Sequence, residues 1–369
     1  MQKIKKFFTI FTQWILKHAI SILLVLTAIW ACFLFIHQTR LNALSSILKS
    51  ESQVKPIPAE VKKPVYYSSL SGVEVASAEL VNAPVTAVMI ENSPSARPQS
   101  GLKNSGVVYE AVAEGGITRF LVLYQSEKPQ IVGPVRSLRP YYVEWLKPYN
   151  ASVAHVGGSK RALDEVRNGQ YRDIDQFFNA KTYWRASDRY APHNVYTSFE
   201  KLDALNSEKG YTTSEVKGFE RIKEVAQKTK AEKETTATTP ANEISVTISS
   251  NLYNPSYIYN AENKNYVRSI GGKPHLDRED GQITPKVVIA MFVNESTVSE
   301  DGARENITTT GSGRAVIFQN GTVQDVTWQR SSPNEQIKFV DASGKTVPLE
   351  RGQVWISAVP NGKGNVSWK

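Results

Sequence analysis

Cysteine is almost absent: Cys32 is the one thiol in 369 residues. That excludes an intramolecular disulfide framework and any zinc site built on cysteine. Histidine is scarce too. Beyond the first 50 residues only His155, His193 and His275 remain, with no His-x-x-His or glutamate-paired spacing that would suggest zinc. Acidic residues are missing altogether from positions 1–50, where Lys3, Lys5, Lys6, Lys17, Arg40 and Lys49 stand alone. Taking those six from the 44 basic residues leaves 38 against 35 acidic ones, so most of the net charge of +9 belongs to the N-terminal flank. The rest of the chain is nearly neutral, and a nucleic-acid partner is not expected. There is no Gly-x-Ser-x-Gly elbow, no Walker spacing and no repeat of solenoid period.

What is present begins with an anchor. Residues 19–36 (AISILLVLTAIWACFLFI) run 18 positions without a charge, the length at which an apolar segment reads as a membrane-spanning helix. The lysines ahead of it place residues 1–18 in the cytoplasm and everything beyond about residue 40 outside, by the positive-inside rule. A cleaved signal peptide would need a small-x-small site, which Ile36-His37-Gln38-Thr39 does not offer. A lipobox ending at Cys32 would contain Trp30 and be followed by Phe33-Leu34-Phe35-Ile36, which argues against processing. A single-pass, uncleaved anchor in a cell membrane is the expectation, with lipidation of Cys32 left open.

Residues 37–80 read as a stalk, interrupted at Val54-Lys55-Pro56-Ile57-Pro58 and Lys62-Lys63-Pro64. Residues 81–216 alternate short apolar runs (85–90, 107–113, 120–124, 151–154) with helical patterns over 141–146, 159–167 and 199–205. Ser159 is the natural N-cap of the second of these, and the alternation predicts an α/β (α+β) layered domain. Residues 217–243, rich in Lys, Glu, Thr and Ala, read as a charged linker. Residues 244–369 predict a smaller, mainly-β domain: a period-two run at 244–248, a hairpin through Asn260-Ala261-Glu262-Asn263, a fully apolar strand at 287–293 and a turn at Asn320-Gly321.

The residues that could carry chemistry cluster between 109 and 194. Arg119, Arg136 and Arg139 follow glycine breaks, and Arg185 and Arg189 are four apart, sharing a face only on a helix. Converging guanidinium forks suit a diphosphate or polyanion. The alternative is a local ion pair for each: Asp188 beside Arg189, Glu144 after Arg139, Asp173 after Arg172. Gly157-Gly158-Ser159 between a strand and a helix could aim backbone N–H groups at an anion, or form an ordinary capped turn. Ser137 and Asn194 complete the candidate binding set. His155 and His193, with Glu114, are candidates for acid/base work, the alternative being structural histidines. Glu110 and Glu114 share a face of an unbroken strand and could hold Mg2+ or pair with arginines.

Four motifs, Glu114-Gly115-Gly116-Ile117-Thr118-Arg119-Phe120, Gly133-Pro134-Val135-Arg136-Ser137-Leu138-Arg139, His155-Val156-Gly157-Gly158-Ser159 and Ala191-Pro192-His193-Asn194, resemble the YerB-like family of bacterial envelope lipoproteins. Tyr266-Val267-Arg268 and Gly352-Gln353-Val354-Trp355-Ile356 resemble its C-terminal domain, so the likeness covers about residues 80–369. It implies an extracytoplasmic, membrane-attached protein, usually held by a lipidated cysteine, and no established reaction. The stretch from Tyr149 through Gly158 is in addition similar to the LytR-CpsA-Psr family, which would imply phosphotransfer from a polyprenyl carrier with Mg2+. Ser137 stands where that family has an aspartate after its arginine, which puts the chemistry in doubt. Three roles follow as expectations: binding of an anionic or phosphorylated envelope ligand, such as a wall polymer or phosphorylated lipid carrier; phosphotransfer or hydrolysis on such a ligand; or a scaffold for wall synthesis.

Overall fold

The computed structural model describes residues 2–51, 64–222, 239–298 and 304–369. It divides into two compact units, residues 1–64 and 65–369. Its first unit contains, over residues 2–51, one helix, α1 (Gln2–Glu51). No glycine or proline interrupts it, and its apolar side chains are exposed along its length. It is long and apolar enough to cross a membrane, and it extends the 19–36 segment at both ends.

The second unit is organised by one large mixed sheet. The sequence before residue 217 supplies β1 (Thr86–Glu91), β2 (Val107–Glu114), β3 (Ile117–Tyr124), β4 (Ser152–His155) and β5 (Arg172–Asp175). It also supplies α2 (Pro140–Leu146), α3 (Lys160–Val166) and α4 (Phe199–Glu208). The sequence after residue 238 supplies β6 (Thr239–Pro240), β7 (Glu243–Thr247), β8 (Pro255–Asn260), β9 (Asn265–Ile270), β10 (Val287–Val293), β11 (Gly311–Gln319), β12 (Thr322–Arg330), β13 (Val354–Pro360) and β14 (Asn365–Trp368). The main sheet runs β6-β12-β11-β10-β13-β2-β3-β1-β4-β5.

Its middle is the parallel pairing of β13 with β2, Val354 opposite Val107 and Ser357 opposite Glu110. The two sequence domains therefore share a sheet rather than abut. β1, β2 and β3 read as near-continuous apolar runs because both faces of the sheet are covered. On one side Tyr109 and Leu121 pack with Tyr141 and Trp145 of α2. On the other, Val122 and Tyr124 pack with Phe199 and Leu202 of α4. A second antiparallel sheet (Lys273–Pro274, β9, β8, β7, β14) turns Ile244 and Val246 onto Val288, Phe318 and Val359.

The boundaries expected between these parts fall differently. The 37–80 stalk is helical through Glu51; 52–63 lie outside the described residues; and Leu70 is fully buried in the core. Of the charged linker, 223–238 lie outside the described residues, whereas Phe219 joins the core and Arg221 donates to the carbonyls of Leu70 (2.7 Å) and Glu350 (2.8 Å). Backbone bonds from Ile222 to Leu349, from Leu349 to Glu220 and from Lys217 to Pro148 complete the attachment of this polar segment to the fold.

Candidate functional site

The strand-end site starts from the break in β2. The β2–β3 register shifts between Val112 and Glu114, which ends the period-two alternation. Glu110 and Glu114 therefore do not share a site, as an unbroken strand would have required. Two tyrosines of α2 fix the irregular backbone: Tyr141 Oη donates to the Val112 carbonyl (2.6 Å), and Tyr142 Oη lies 2.6 Å from the Arg119 carbonyl.

Around this point three arginines meet two carboxylates. Buried Arg119 donates from Nη1 to the Ser137 carbonyl (2.8 Å) and from Nη2 to Glu114 Oε1 (3.3 Å). Buried Arg139 donates to its neighbour's carbonyl at Leu138 (2.8 Å) and to Glu114 Oε2. Arg136 donates from Nε to Glu91 Oε2, and Arg119 Nη2 lies 4.0 Å from the same oxygen. Glu91 is buried and also accepts from the backbone N–H of Asn92 (3.2 Å) and Ser93 (3.3 Å). Burial pushes both carboxyls up, but the guanidiniums outweigh it. Arg119 and Arg136 hold Glu91 below its ordinary range, and Arg139 and Arg119 hold Glu114 at about 2. Among the described residues, three guanidiniums thus face two carboxylates here. Arg136 is 21% exposed, and among the described residues its two Nη groups have no hydrogen-bond partner.

The other expected residues divide. His193 joins the site: its Nδ1 lies 3.1 Å from Ser93 Oγ and 3.9 Å from Glu91 Oε2. Hydroxyl and carboxylate meet the same ring nitrogen, whereas a nucleophile–base–orienter relay needs one on each. His155 belongs elsewhere. It is fully buried, with Nε2 on Asp173 (2.9 Å) and Nδ1 on the Gly157 carbonyl (2.8 Å), and Arg167 reaches Asp175 (2.7 Å) beside it. The two histidines thus form no acid/base pair. The Gly157 N–H is taken by Asp175 Oδ1 (3.1 Å), Gly158 packs against Leu163 and the Leu138 carbonyl, and Ser159 caps α3 through the Ala162 N–H (3.5 Å). That turn is the ordinary capped one. Arg185 and Arg189 lie on no helix: Arg185 bonds Asn194 Oδ1 (2.8 Å), and Arg189 bonds the carbonyls of Ser95 (3.2 Å) and Pro98 (2.5 Å). The nearest acids in sequence are not the partners; Asp188 pairs with Arg278 (2.6 Å) and Glu144 takes a hydrogen bond from Thr309.

Glu110 takes the second of its expected readings, an arginine partner, in a second buried polar centre whose other members, Arg268, His275 and Trp355, were not among the candidate site residues. Glu110, wholly buried, accepts from Arg268 Nη2 (2.8 Å) and Trp355 Nε1 (2.8 Å). The Arg268 guanidinium carbon stands 4.0 Å from the Trp355 ring centroid. Its Nε donates to His275 Nδ1 (2.9 Å); since arginine only donates, the proton of the imidazole is on Nε2, facing Gln99 Oε1 (3.0 Å). Gln99 continues to Asn92 Oδ1 (3.0 Å) and so to the loop after Glu91. The signal was present: β9 alternates, and Arg268 falls in phase with inward Tyr266 and Ile270, so a buried guanidinium in need of a carboxylate was legible.

His275 gives this centre a pH dependence. Burial, then the charges of Arg268 and Arg97, hold its imidazole far below the usual range, so it is neutral in the fold. The unfolded chain binds a proton near 6.5 that the folded chain refuses, so stability is lost as pH falls below about 6.5. Between pH 7 and 5 the unfolding free energy of wild type should drop by up to ~1.4 kcal/mol per unit from this group. His275→Gln should flatten that limb in urea titrations; an unchanged slope would refute the assignment.

Residues 70–212 match the family model described as "Protein of unknown function (DUF3048) N-terminal domain", and residues 244–356 match its C-terminal counterpart. Over 326 residues, 85% of this chain and 92% of the relative, the sequence is 32% identical to "Putative lipoprotein YerB" of Bacillus subtilis (strain 168). The crystal structure of YerB protein from Bacillus subtilis matches with a TM-score of 0.71 at 28% identity, covering 82% of this chain and 99% of that one. These matches carry the YerB-like resemblance and not the LytR-CpsA-Psr one.

Proposed function

The chain belongs to the DUF3048 family, proteins of unknown function whose members include a YerB lipoprotein, and from that premise we propose that it is a membrane-anchored binding protein for an anionic, phosphorylated envelope component. In this reading α1 spans the membrane once, with the N-terminus in the cytoplasm, and the second unit is the ectodomain. The observation that carries it is Arg136: its Nε is locked on buried Glu91, while both Nη groups of this part-exposed side chain have no hydrogen-bond partner among the described residues. A guanidinium immobilised through one nitrogen loses little freedom on receiving a phosphate with the other two. His193, part-exposed beside Ser93, is placed to add a donor.

Binding is favoured over phosphotransfer because the carboxylates that would have to hold Mg2+ are committed. Glu114 lies between Arg119 and Arg139, and Glu110 is closed in by Arg268 and Trp355. The test is calorimetric titration of the full chain, in lipid nanodiscs, with inorganic pyrophosphate. Arg136→Gln should weaken binding about 10- to 150-fold, the worth of a hydrogen bond to a charged group. Arg136→Lys keeps the charge for Glu91 but not the fork, so it should fold normally and still bind more weakly than wild type. Equal affinities for wild type and both variants, or no saturable binding by wild type, would overturn the proposal.

A further inference from the structure

We infer that a second ligand site lies on the seam between the two sequence domains, a pocket that takes a small anionic amphiphile: an acidic head carrying a short apolar tail. A cavity of about 330 Å3 opens there between the 94–98 loop and the 270–276 segment, at the lower end of the roughly 300–1,000 Å3 typical of small-molecule sites. Its walls are apolar, including Pro98, Leu252, Ile270 and Leu276, and its charged lining residues are Arg97 and Lys273, with no acidic one. Leu252 is 56% and Leu276 43% exposed, so the pocket offers water an apolar surface that a tail would cover.

The head-group side is prebuilt. Arg97 donates from Nε to Asn92 Oδ1 (3.1 Å) and from Nη2 to the Asn92 carbonyl (2.9 Å), and its guanidinium stands 5.4 Å from the Tyr253 ring centroid. These contacts fix the fork, and Nη1 has no hydrogen-bond partner among the described residues. Lys273, exposed on its two-residue strand, supplies a second cation. His275 is wall rather than base, because both its nitrogens are already bonded to Arg268 and Gln99. The two cations and the apolar walls together select a ligand with one charged end, and a bare anion would use only half of the site.

The probe is monobutyl phosphate, which is freely soluble and forms no micelles, with inorganic phosphate as the head alone and butanol as the tail alone. Titrated against the full chain in lipid nanodiscs, butyl phosphate should bind at least about tenfold tighter than inorganic phosphate, since even two buried methylenes are worth that much. Arg97→Gln and Lys273→Gln should each weaken butyl phosphate about tenfold. Leu276→Glu should abolish its advantage over inorganic phosphate. Lys273 and Leu276 are exposed, so those variants decide the matter even if Arg97→Gln fails to fold. Arg136→Gln removes any phosphate held at the strand-end site, so in that variant the advantage of butyl phosphate over inorganic phosphate should persist, which separates this pocket from the strand-end site. Equal binding of butyl and inorganic phosphate, no saturable binding of butyl phosphate, or wild-type affinity in Lys273→Gln and Leu276→Glu would overturn the inference.

Discussion

Glu110→Ala is expected to destabilise the second unit by about 3–5 kcal/mol, the cost of removing one partner from a buried ion pair. Glu110 and Arg268 are both wholly buried and 2.8 Å apart. Without the carboxylate, Arg268 keeps Tyr257, His275 and the face of Trp355 but carries an uncompensated charge, and the Trp355 N–H is orphaned. Because Glu110 is on β2 and Arg268 on β9, the loss should loosen both sequence domains in one transition rather than one of them alone. The double variant Glu110→Leu/Arg268→Met removes charge and counter-charge together and should cost less than the single change. Urea unfolding of the full chain in detergent, followed by tryptophan fluorescence, measures both. A Glu110→Ala cost within about 0.5 kcal/mol of zero, the size of an ordinary surface change, would contradict the role assigned to this pair.

Glu91→Gln should cost about 3 kcal/mol at pH 7, the low end for a broken buried pair. Arg136 is part-exposed and Arg119 retains Glu114, which softens the loss. The effect should also depend on pH. Burial raises the Glu91 carboxyl, Arg119 and Arg136 lower it further, and the net result is a folded-state value below the ordinary 4.5. Its stabilisation is therefore complete above about 4.5 and lost as pH falls through the folded value. The gap between wild type and Glu91→Gln, measured by urea titration, should be full at pH 7 and shrink progressively below pH 4.5. A gap that stays constant into acid would mean that Glu91 is not held ionised by those arginines.

Much of the fold could be read from local pattern. The runs at 85–90, 107–113 and 120–124 fall on β1, β2 and β3, the 287–293 run coincides with β10, and Ser159 caps α3 as its position suggested. What could not be read is non-local. No residue pattern announces that β13 pairs with β2 across the whole chain, and it is this pairing that welds the two domains into one sheet. The site follows the same division. Arg119, Arg136 and Arg139 do converge, and their glycine-flanked turns advertised it. Of their counter-ions, Glu114 was legible as an arginine partner, although no proline or glycine inside the strand marks the bulge at Val112/Glu114 that swaps its face; Glu91, a strand residue 45 positions before Arg136, was not. Histidines 155 and 193 looked like a pair only because sequence order says nothing about partners. His155 is claimed by Asp173, 18 residues on, and His193 by Ser93, 100 residues back.

The account rests on the open fork of Arg136, and guanidinium-resolved NMR of the full chain during titration with inorganic pyrophosphate tests it most directly. The predicted result is a saturable shift of the Arg136 Nη resonances, with Arg119 and Arg139, whose Nη groups are bonded to Ser137, Leu138 and Glu114, moving far less. Shifts confined to Arg185 and Arg189, or no shift at Arg136 while pyrophosphate binds, would contradict it.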